Sequence, residues 1–132
     1  MTTRHVGVLG WVAALATAAV IAGCSNQPGS RLPAAEQAHQ GDPARGRQLI
    51  TTYGCGSCHE VPGVRQANGL VGPPLTHFGE RSYIAGELPN NAANLQKWIM
   101  NPTQVEPKTA MPDLGVSAVD AQDIAAYLLT LD

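Results

Sequence analysis

Apolar residues recur at helical spacing in three stretches of the chain. The first stretch begins at Asp42-Pro43, where an N-capping side chain is followed by proline at the first helical position. It is predicted to end before Gly54, which favours a change of backbone direction. The predicted buried face of this helix is formed by Gly46, Leu49, Ile50 and Tyr53.

Two further helices follow later in the chain. One is predicted to begin near Asn91 and to end by Pro102, because proline interrupts a helix. The last is capped by Ser117, and its early aspartates suit the positive end of the helix dipole. The apolar positions are Leu95, Trp98 and Ile99 in the second helix, and Ile124, Tyr127, Leu128 and Leu131 in the last. No alternating run is long enough to predict a useful strand, so we expect an all-α domain with long loops.

The N-terminal segment has a different pattern. Arg4 precedes an apolar run over residues 6–22, and Ile21-Ala22-Gly23-Cys24 resembles the cleavage box of a bacterial lipoprotein. We therefore expect residues 1–23 to be a signal peptide and Cys24 to carry the lipid. An uncleaved transmembrane anchor is the alternative, because such a run is at the short end of what spans a bilayer. Both interpretations place the protein at a membrane outside the cytoplasm, in the periplasm or on the outer face of the bacterial cell membrane.

Residues 24–41 contain prolines, glycines and scattered apolar side chains, which predicts a lipidated N-terminus and flexible tether before a domain over 42–132. After position 23 the chain carries seven of its eight basic residues and all ten acidic ones, a formal charge of −3. This charge makes nucleic acid an unsuitable partner. A domain this small, with five aromatic residues after position 23, has little apolar side chain to bury, so we expect a large flat cofactor to complete its core.

One motif indicates which cofactor. Cys55-Gly56-Ser57-Cys58-His59 has the C-x-x-C-H spacing of a covalently attached c-type haem, in which both cysteines form thioethers and the histidine is the proximal iron ligand. A zinc site and a redox dithiol also use C-x-x-C. Zinc needs four soft ligands, whereas the third cysteine lies in the export segment, and no βαβ pattern surrounds the motif. We expect one covalent haem c.

The sixth iron ligand separates electron transfer from ligand chemistry. Met111 lies in a loop, Pro107-Lys108-Thr109-Ala110-Met111-Pro112, from which a thioether could approach the distal face. Met100 is the competing sulfur, but its place on the second helix favours core packing. His77 follows a segment expected on the proximal side, and His39 lies in the tether. The sequence therefore favours Met111.

These motifs together resemble the class I cytochrome c family, and in particular the cytochrome c domains of haem-copper oxidase subunit II. The resemblance runs from about Asp42 to Leu131 and includes the order of its parts: a glycine-bearing helix, C-x-x-C-H, Gly-Pro-x-Leu, a helix ending at Asn-Pro, P-x-T-x-M-P and an aromatic C-terminal helix. It implies a small cytochrome c fold, with three main helices and long loops wrapped around one haem.

The resemblance also implies roles for further residues. Pro73 would accept a hydrogen bond from His59, and Leu75 would pack on the haem. Trp98 would lie beside the methionine ligand, and Arg81 and Thr109 would bond the propionates. Gly46 would let the first helix cross the last against Ile124 and Tyr127. Two departures are Ile50, which replaces the usual aromatic at this crossing, and one extra residue between Gly46 and Cys55.

The function implied is a membrane-tethered one-electron carrier of a respiratory or related chain, and not an enzyme in its own right. Its partners would be membrane redox complexes, for example quinol-cytochrome c reductase and haem-copper oxidase, with no small-molecule substrate. The chain has only two lysines, Lys97 and Lys108, so we expect mainly apolar docking with weak salt dependence. One alternative is a fixed electron-entry subunit of an oxidase or dehydrogenase complex. Another is a haem enzyme or sensor with an open distal site.

Overall fold

The computed structural model describes residues 41–132, so the predicted signal peptide, Cys24, His39 and all but the last residue of the tether lie outside the described residues. The described chain contains four α-helices, one turn of 3-10 helix and one small hairpin. In order these are α1 (Pro43–Thr52), the 3-10 turn (Cys55–Ser57), β1 (Tyr83–Ile84), β2 (Leu88–Pro89), α2 (Ala92–Met100), α3 (Pro102–Val105) and α4 (Ala118–Leu128).

Each of the three predicted helices begins at the residue that the sequence indicates. The Asp42 carboxylate accepts hydrogen bonds from the first-turn amides of α1, at 2.8 Å from Ala44 N. Asn91 caps α2 through a bond from Asn94 N at 3.0 Å, and Ser117 caps α4 through a bond from Asp120 N at 3.1 Å. These caps satisfy amides that have no partner within a helix.

Helix α1 crosses α4, and this crossing is the centre of the domain. Gly46 is buried at the contact, and a side chain there would overlap the backbone carbonyl of Asp123 and approach Ile124 N. Glycine therefore permits a backbone approach that any larger residue would prevent. Ile50 and Ile124 are each only 1% exposed, so the position that lacks the usual aromatic is nevertheless fully packed.

The short hairpin and α3 were not predicted. Two-residue strands are too short to show a period of two, and the hairpin turn contains Ala85 and Gly86 with positive φ angles of 53° and 78° instead of an Asn-Gly signal. The Asn90 side chain attaches this hairpin to the preceding loop by donating to Phe78 O at 2.8 Å. Helix α3 is a single turn that begins at Pro102, directly after α2 ends.

The described residues thus agree with the expected all-α class with long loops. Within residues 41–132, no helix has the length and apolar character that crossing a bilayer requires. The apolar core lies between α1, α2 and α4, and includes Leu49, Ile50, Leu95, Ile99, Ala121, Ile124 and Leu128.

Candidate functional site

The turn that carries the C-x-x-C-H motif is held in a defined shape. Gly54 leaves α1 with a positive φ of 71°, a conformation that favours glycine, and the 3-10 turn follows at once. His59 N donates to Cys55 O at 3.0 Å, so the histidine lies one turn beyond the first cysteine. Cys55, Cys58 and His59 consequently all line one cavity.

A second segment of chain is bonded to this turn along its backbone. Three backbone hydrogen bonds make this connection: Gly69 N donates to Gly56 O at 3.1 Å, Gly72 N to Cys58 O at 2.8 Å, and Leu75 N to Glu60 O at 2.8 Å. These bonds place Pro73 beside the histidine, whose Nδ1 lies 2.8 Å from Pro73 O. Because a carbonyl oxygen only accepts, Nδ1 carries the proton and Nε2 keeps its lone pair for a metal.

Gly72 closes the other side of the imidazole. A side chain at this position would overlap His59 Cε1 and come within 2.6 Å of Nδ1. The ring is therefore held between the Gly72 backbone and the Pro73 carbonyl. An imidazole that is fixed in tautomer and orientation needs little rearrangement to bind iron.

Met111 lies on the loop that forms another wall of the cavity. Met111 N donates to the Thr109 hydroxyl at 3.1 Å, and Thr109 N donates to Glu106 O at 3.0 Å, so successive turns hold the backbone of Met111 in place. Glu106 is the one carboxylate among the residues lining this cavity, and its Oε1 accepts a bond from Lys108 N at 2.8 Å. The carboxylate thus stabilises the loop that carries Met111.

The cavity has a volume of about 470 Å³ and is open to solvent on one side. Eight residues singled out from the sequence line it, namely Cys55, Cys58, His59, Pro73, Leu75, Trp98, Thr109 and Met111. A smaller cavity of about 60 Å³ shares His59, Trp98 and Met111 with it and reaches core residues of all three main helices. Sequence reasoning did not assign Tyr53, Val71, Ala85, Glu106 or Leu114 to this site, although they line it as well.

Three other candidates lie elsewhere. The Arg81 guanidinium donates to the carbonyls of Pro74 and Thr76 and stacks over the Phe78 ring at 5.1 Å, and Arg81 does not line the cavity. Its contact with a propionate stays a prediction. Met100 packs against the core and does not line the cavity. His77 has a side chain that is 69% exposed and faces Glu80 at 3.5 Å.

The donor set and volume of this cavity fit a c-type haem. Two thiols, one imidazole with a free Nε2 and one thioether lie around an apolar space whose volume is within the range of about 300–1,000 Å³ for cofactor sites. Within residues 41–132, no three His, Cys, Asp or Glu side chains form a group suited to a bare metal ion. The mostly apolar lining and the thiol, imidazole and thioether donors would suit a large apolar group that brings its own metal.

A polar cluster lies at the edge of the cavity. The Tyr53 hydroxyl donates to Asp120 Oδ2 at 2.6 Å, and Arg45 bridges Asp120 and Asp123. The hydrogen bond from Tyr53, reinforced by Arg45, lowers the pKa of Asp120 below its ordinary value of 3.8. The same bond raises the pKa of Tyr53 above 10.0. At neutral pH this cluster therefore holds a charged carboxylate against a neutral phenol.

We expect the contribution of Asp120 to stability to disappear in acid. A folded-state pKa below the unfolded one gives stability that is fully present above the unfolded pKa of 3.8 and is lost as pH falls through the folded pKa. The free energy of unfolding of wild type should therefore exceed that of Asp120→Asn at pH 7, and this difference should shrink below about pH 4. Denaturant titrations of both proteins over this range measure it. A difference that stays constant would contradict the prediction.

Comparisons with known proteins give a consistent result. The family model described as Cytochrome c matches residues 43–132. Subunit 2 of the cytochrome c oxidase of Alkalihalophilus pseudofirmus OF4 is 40% identical over 88 residues, which are 66% of this chain and 25% of that protein. The corresponding subunit of Bacillus sp. PS3 is 35% identical over 94 residues, which are 67% of this chain and 26% of that protein. The corresponding subunit of Bacillus subtilis 168 is 31% identical over 85 residues, which are 63% of this chain and 24% of that protein. The chain thus spans about a quarter of the length of these relatives.

Proposed function

The chain belongs to the cytochrome c family, and from that premise we propose that it is a membrane-tethered carrier that moves one electron at a time on a covalent haem with histidine and methionine ligands. The expected family and the small all-α cytochrome c fold are confirmed, and the protein is an electron-transfer haem protein. Its ligand set, its anchor and its partners are proposals, because the match covers only about a quarter of the length of these relatives.

One observation carries the proposal. A single cavity is lined by the two thiols and the imidazole of C-x-x-C-H and also by Met111, which lies more than fifty positions later in the sequence. In this arrangement Cys55 and Cys58 would hold the haem through thioethers, and His59 Nε2 and the Met111 sulfur would ligate its iron. Leu75, Trp98 and Thr109 form the surrounding wall.

The haem supplies a reversible one-electron couple when it is bound. The protein makes transfer fast by holding the surroundings constant between the two oxidation states. The Pro73 carbonyl fixes the His59 tautomer, and the bond from Met111 N to Thr109 fixes the loop opposite. Apolar walls exclude water, and the soft thioether of Met111 favours the ferrous state. Glu106, the lining carboxylate, accepts a hydrogen bond from the backbone of its own loop.

The mouth of the cavity suits an apolar partner surface. Val71 and Leu114 line the cavity and are 77% and 39% exposed, and Leu70, which precedes Val71 in the sequence, is 88% exposed. Exposed apolar side chains at a cofactor edge favour close approach of a partner without charge pairing. We propose that membrane redox complexes dock here, with a quinol-cytochrome c reductase as donor and a haem-copper oxidase as acceptor.

Membrane tethering would compensate for the lack of electrostatic steering. We propose that acylated Cys24 anchors the protein outside the cytoplasm and that residues 25–41 act as the tether, with a reach of roughly 20–25 Å. Such a tether replaces long-range attraction by a high effective concentration near membrane complexes. A fixed electron-entry subunit is the second candidate, because the relatives are themselves subunits of cytochrome c oxidases.

Purification from native membranes in mild detergent tests the proposal. We expect the protein in the membrane fraction, with an N-terminal peptide that begins at acylated Cys24 in mass spectrometry and a haem that titrates as a one-electron couple. A mature peptide that spans Gly23 and Cys24 would contradict the lipid anchor. Stoichiometric co-purification with oxidase subunits, stable to salt and dilution, would favour the fixed subunit over the mobile carrier.

A further inference from the structure

Tyr53 connects the last helix to the cavity wall. It is the C-terminal cap of α1, its amide donates to Leu49 O at 2.8 Å, and Gly54 and the 3-10 turn with Cys55 follow directly. Tyr53 packs against the hydrophobic core and also lines the large cavity. Tyr53 therefore forms part of the cavity wall, and its position also fixes where the turn that carries Cys55 and Cys58 begins.

The phenol is held by a residue that lies far away in the sequence. Its hydroxyl donates to Asp120 Oδ2 at 2.6 Å, and Asp120 is itself fixed by Arg45 and, through its amide, by the Ser117 hydroxyl at 3.1 Å. A hydrogen bond to an ionised carboxylate is about twice as strong as one between neutral groups. The Asp120 side chain is only 17% exposed, so water competes weakly for this bond.

Arg45 extends the connection to the beginning of α1. It also pairs with Asp123, whose Oδ1 accepts a bond from Asp42 N at 2.7 Å. Helix α1 is thus attached to α4 by polar contacts at both ends, and the contact at its C-terminal end is the one that reaches the cavity. The ring of Tyr53 cannot turn away from the wall without losing the bond to Asp120.

We propose that Tyr53 is a positioning residue for electron transfer: the bond to Asp120 holds its ring against the haem cavity, excludes water there and keeps the reduction potential high. This inference rests on the proposed function. Water beside a haem favours the ferric state, which carries the larger positive charge, so an open wall lowers the potential. The phenol also covers the Asp120 carboxylate, whose negative charge would otherwise act on the cavity with less screening.

A purely structural role would give a different result. If the bond only joined α1 to α4, its loss would lower the free energy of unfolding and leave the potential unchanged. The reduction potential of the folded holoprotein is therefore the deciding measurement. Tyr53→Phe keeps the ring and removes the hydroxyl. Asp120→Asn keeps an acceptor oxygen for the hydroxyl but removes the charge and the ion pair with Arg45.

The experiment uses the full-length holoprotein in spectroelectrochemical titrations at pH 7, with unfolding measured in parallel. Tyr53→Phe should shift the potential downwards. Asp120→Asn should lose stability without a downward shift, because its acceptor keeps the ring in place. Tyr83→Phe is the matched control, since Tyr83 is 59% exposed and does not line the cavity, and it should leave the potential unchanged.

The possible failures are distinguishable. A wild type without covalent haem would overturn the proposed function itself. A haem-bearing wild type whose potential equals that of Tyr53→Phe would overturn the role of Tyr53 alone. If the Tyr53→Phe protein does not accumulate, NMR of the wild-type holoprotein still tests the role of Tyr53. A slowly exchanging Tyr53 hydroxyl proton, with contacts from the ring to the haem, supports the inference, and a rapidly exchanging proton without such contacts refutes it.

Discussion

Replacing both Cys55 and Cys58 by serine should abolish covalent haem attachment and, with it, most of the folded population. The cavity that the haem would fill has a volume of about 470 Å³. At about 24 cal/mol per Å³, an empty space of that size would cost about 11 kcal/mol, which is an upper bound because the cavity opens to solvent. This cost compares with the whole stability of about 5–15 kcal/mol of a typical domain.

Denaturation followed by acidic acetone measures the attachment, and circular dichroism measures the fold. Wild type should keep its colour on the chain after this treatment. Cys24→Ser is the matched control, because it removes the third cysteine and should affect lipidation but not haem attachment. Haem that extracts freely from wild type, or a double serine variant that still carries it covalently, would contradict the assignment.

Met111→Ala should open the sixth coordination position of the iron. The ferric wild type is expected to show the weak near-infrared band of sulfur-ligated low-spin haem and, when reduced, to bind carbon monoxide poorly. The variant should lose the band, bind carbon monoxide and have a lower reduction potential, because the soft ligand that favours ferrous iron is gone. Absorption spectra and a redox titration measure these changes.

Met100→Leu is the matched control for this prediction. Met100 packs against the core and does not line the cavity, so a volume-conserving change should keep the band and cost less than about 1.5 kcal/mol. The opposite pattern would show that the wrong sulfur has been chosen. A band absent even from wild type would favour the enzyme or sensor with an open distal site.

The helices were predictable because their signals are local. Asp42, Asn91 and Ser117 each cap a helix through bonds to amides two or three positions later, and such contacts can be inferred from sequence alone. The hairpin was missed because Ala85 adopts a positive φ that its neighbours in sequence do not indicate. Tertiary contacts from Asn90 hold that segment instead.

The residues of the candidate site that lie close together in the sequence could be predicted from their spacing. Those that only the folded chain brings together were harder to predict. C-x-x-C-H places its three side chains within one turn, so their common cavity follows from the motif. The sequence favoured Met111 over Met100 because Met111 lies in a loop and Met100 on a helix, and the structure places only Met111 in the cavity lining. Arg81 bonds loop carbonyls and Tyr53 reaches Asp120, and both contacts depend on how distant segments meet. The assignments at Cys24 and along the tether stay predictions.

If the chain is exported as proposed, the crossing of α1 and α4 also bears on the order of events during export. The bond from Asp42 N to Asp123 joins residues 81 positions apart, and closing a loop of that length costs about 4 kcal/mol of chain entropy. In a chain exported from its N-terminus, the segment with both thiols would leave a translocation channel before α4, because it comes earlier in the sequence. Cys55 and Cys58 would then be accessible for haem attachment before α4 arrives and packs against α1.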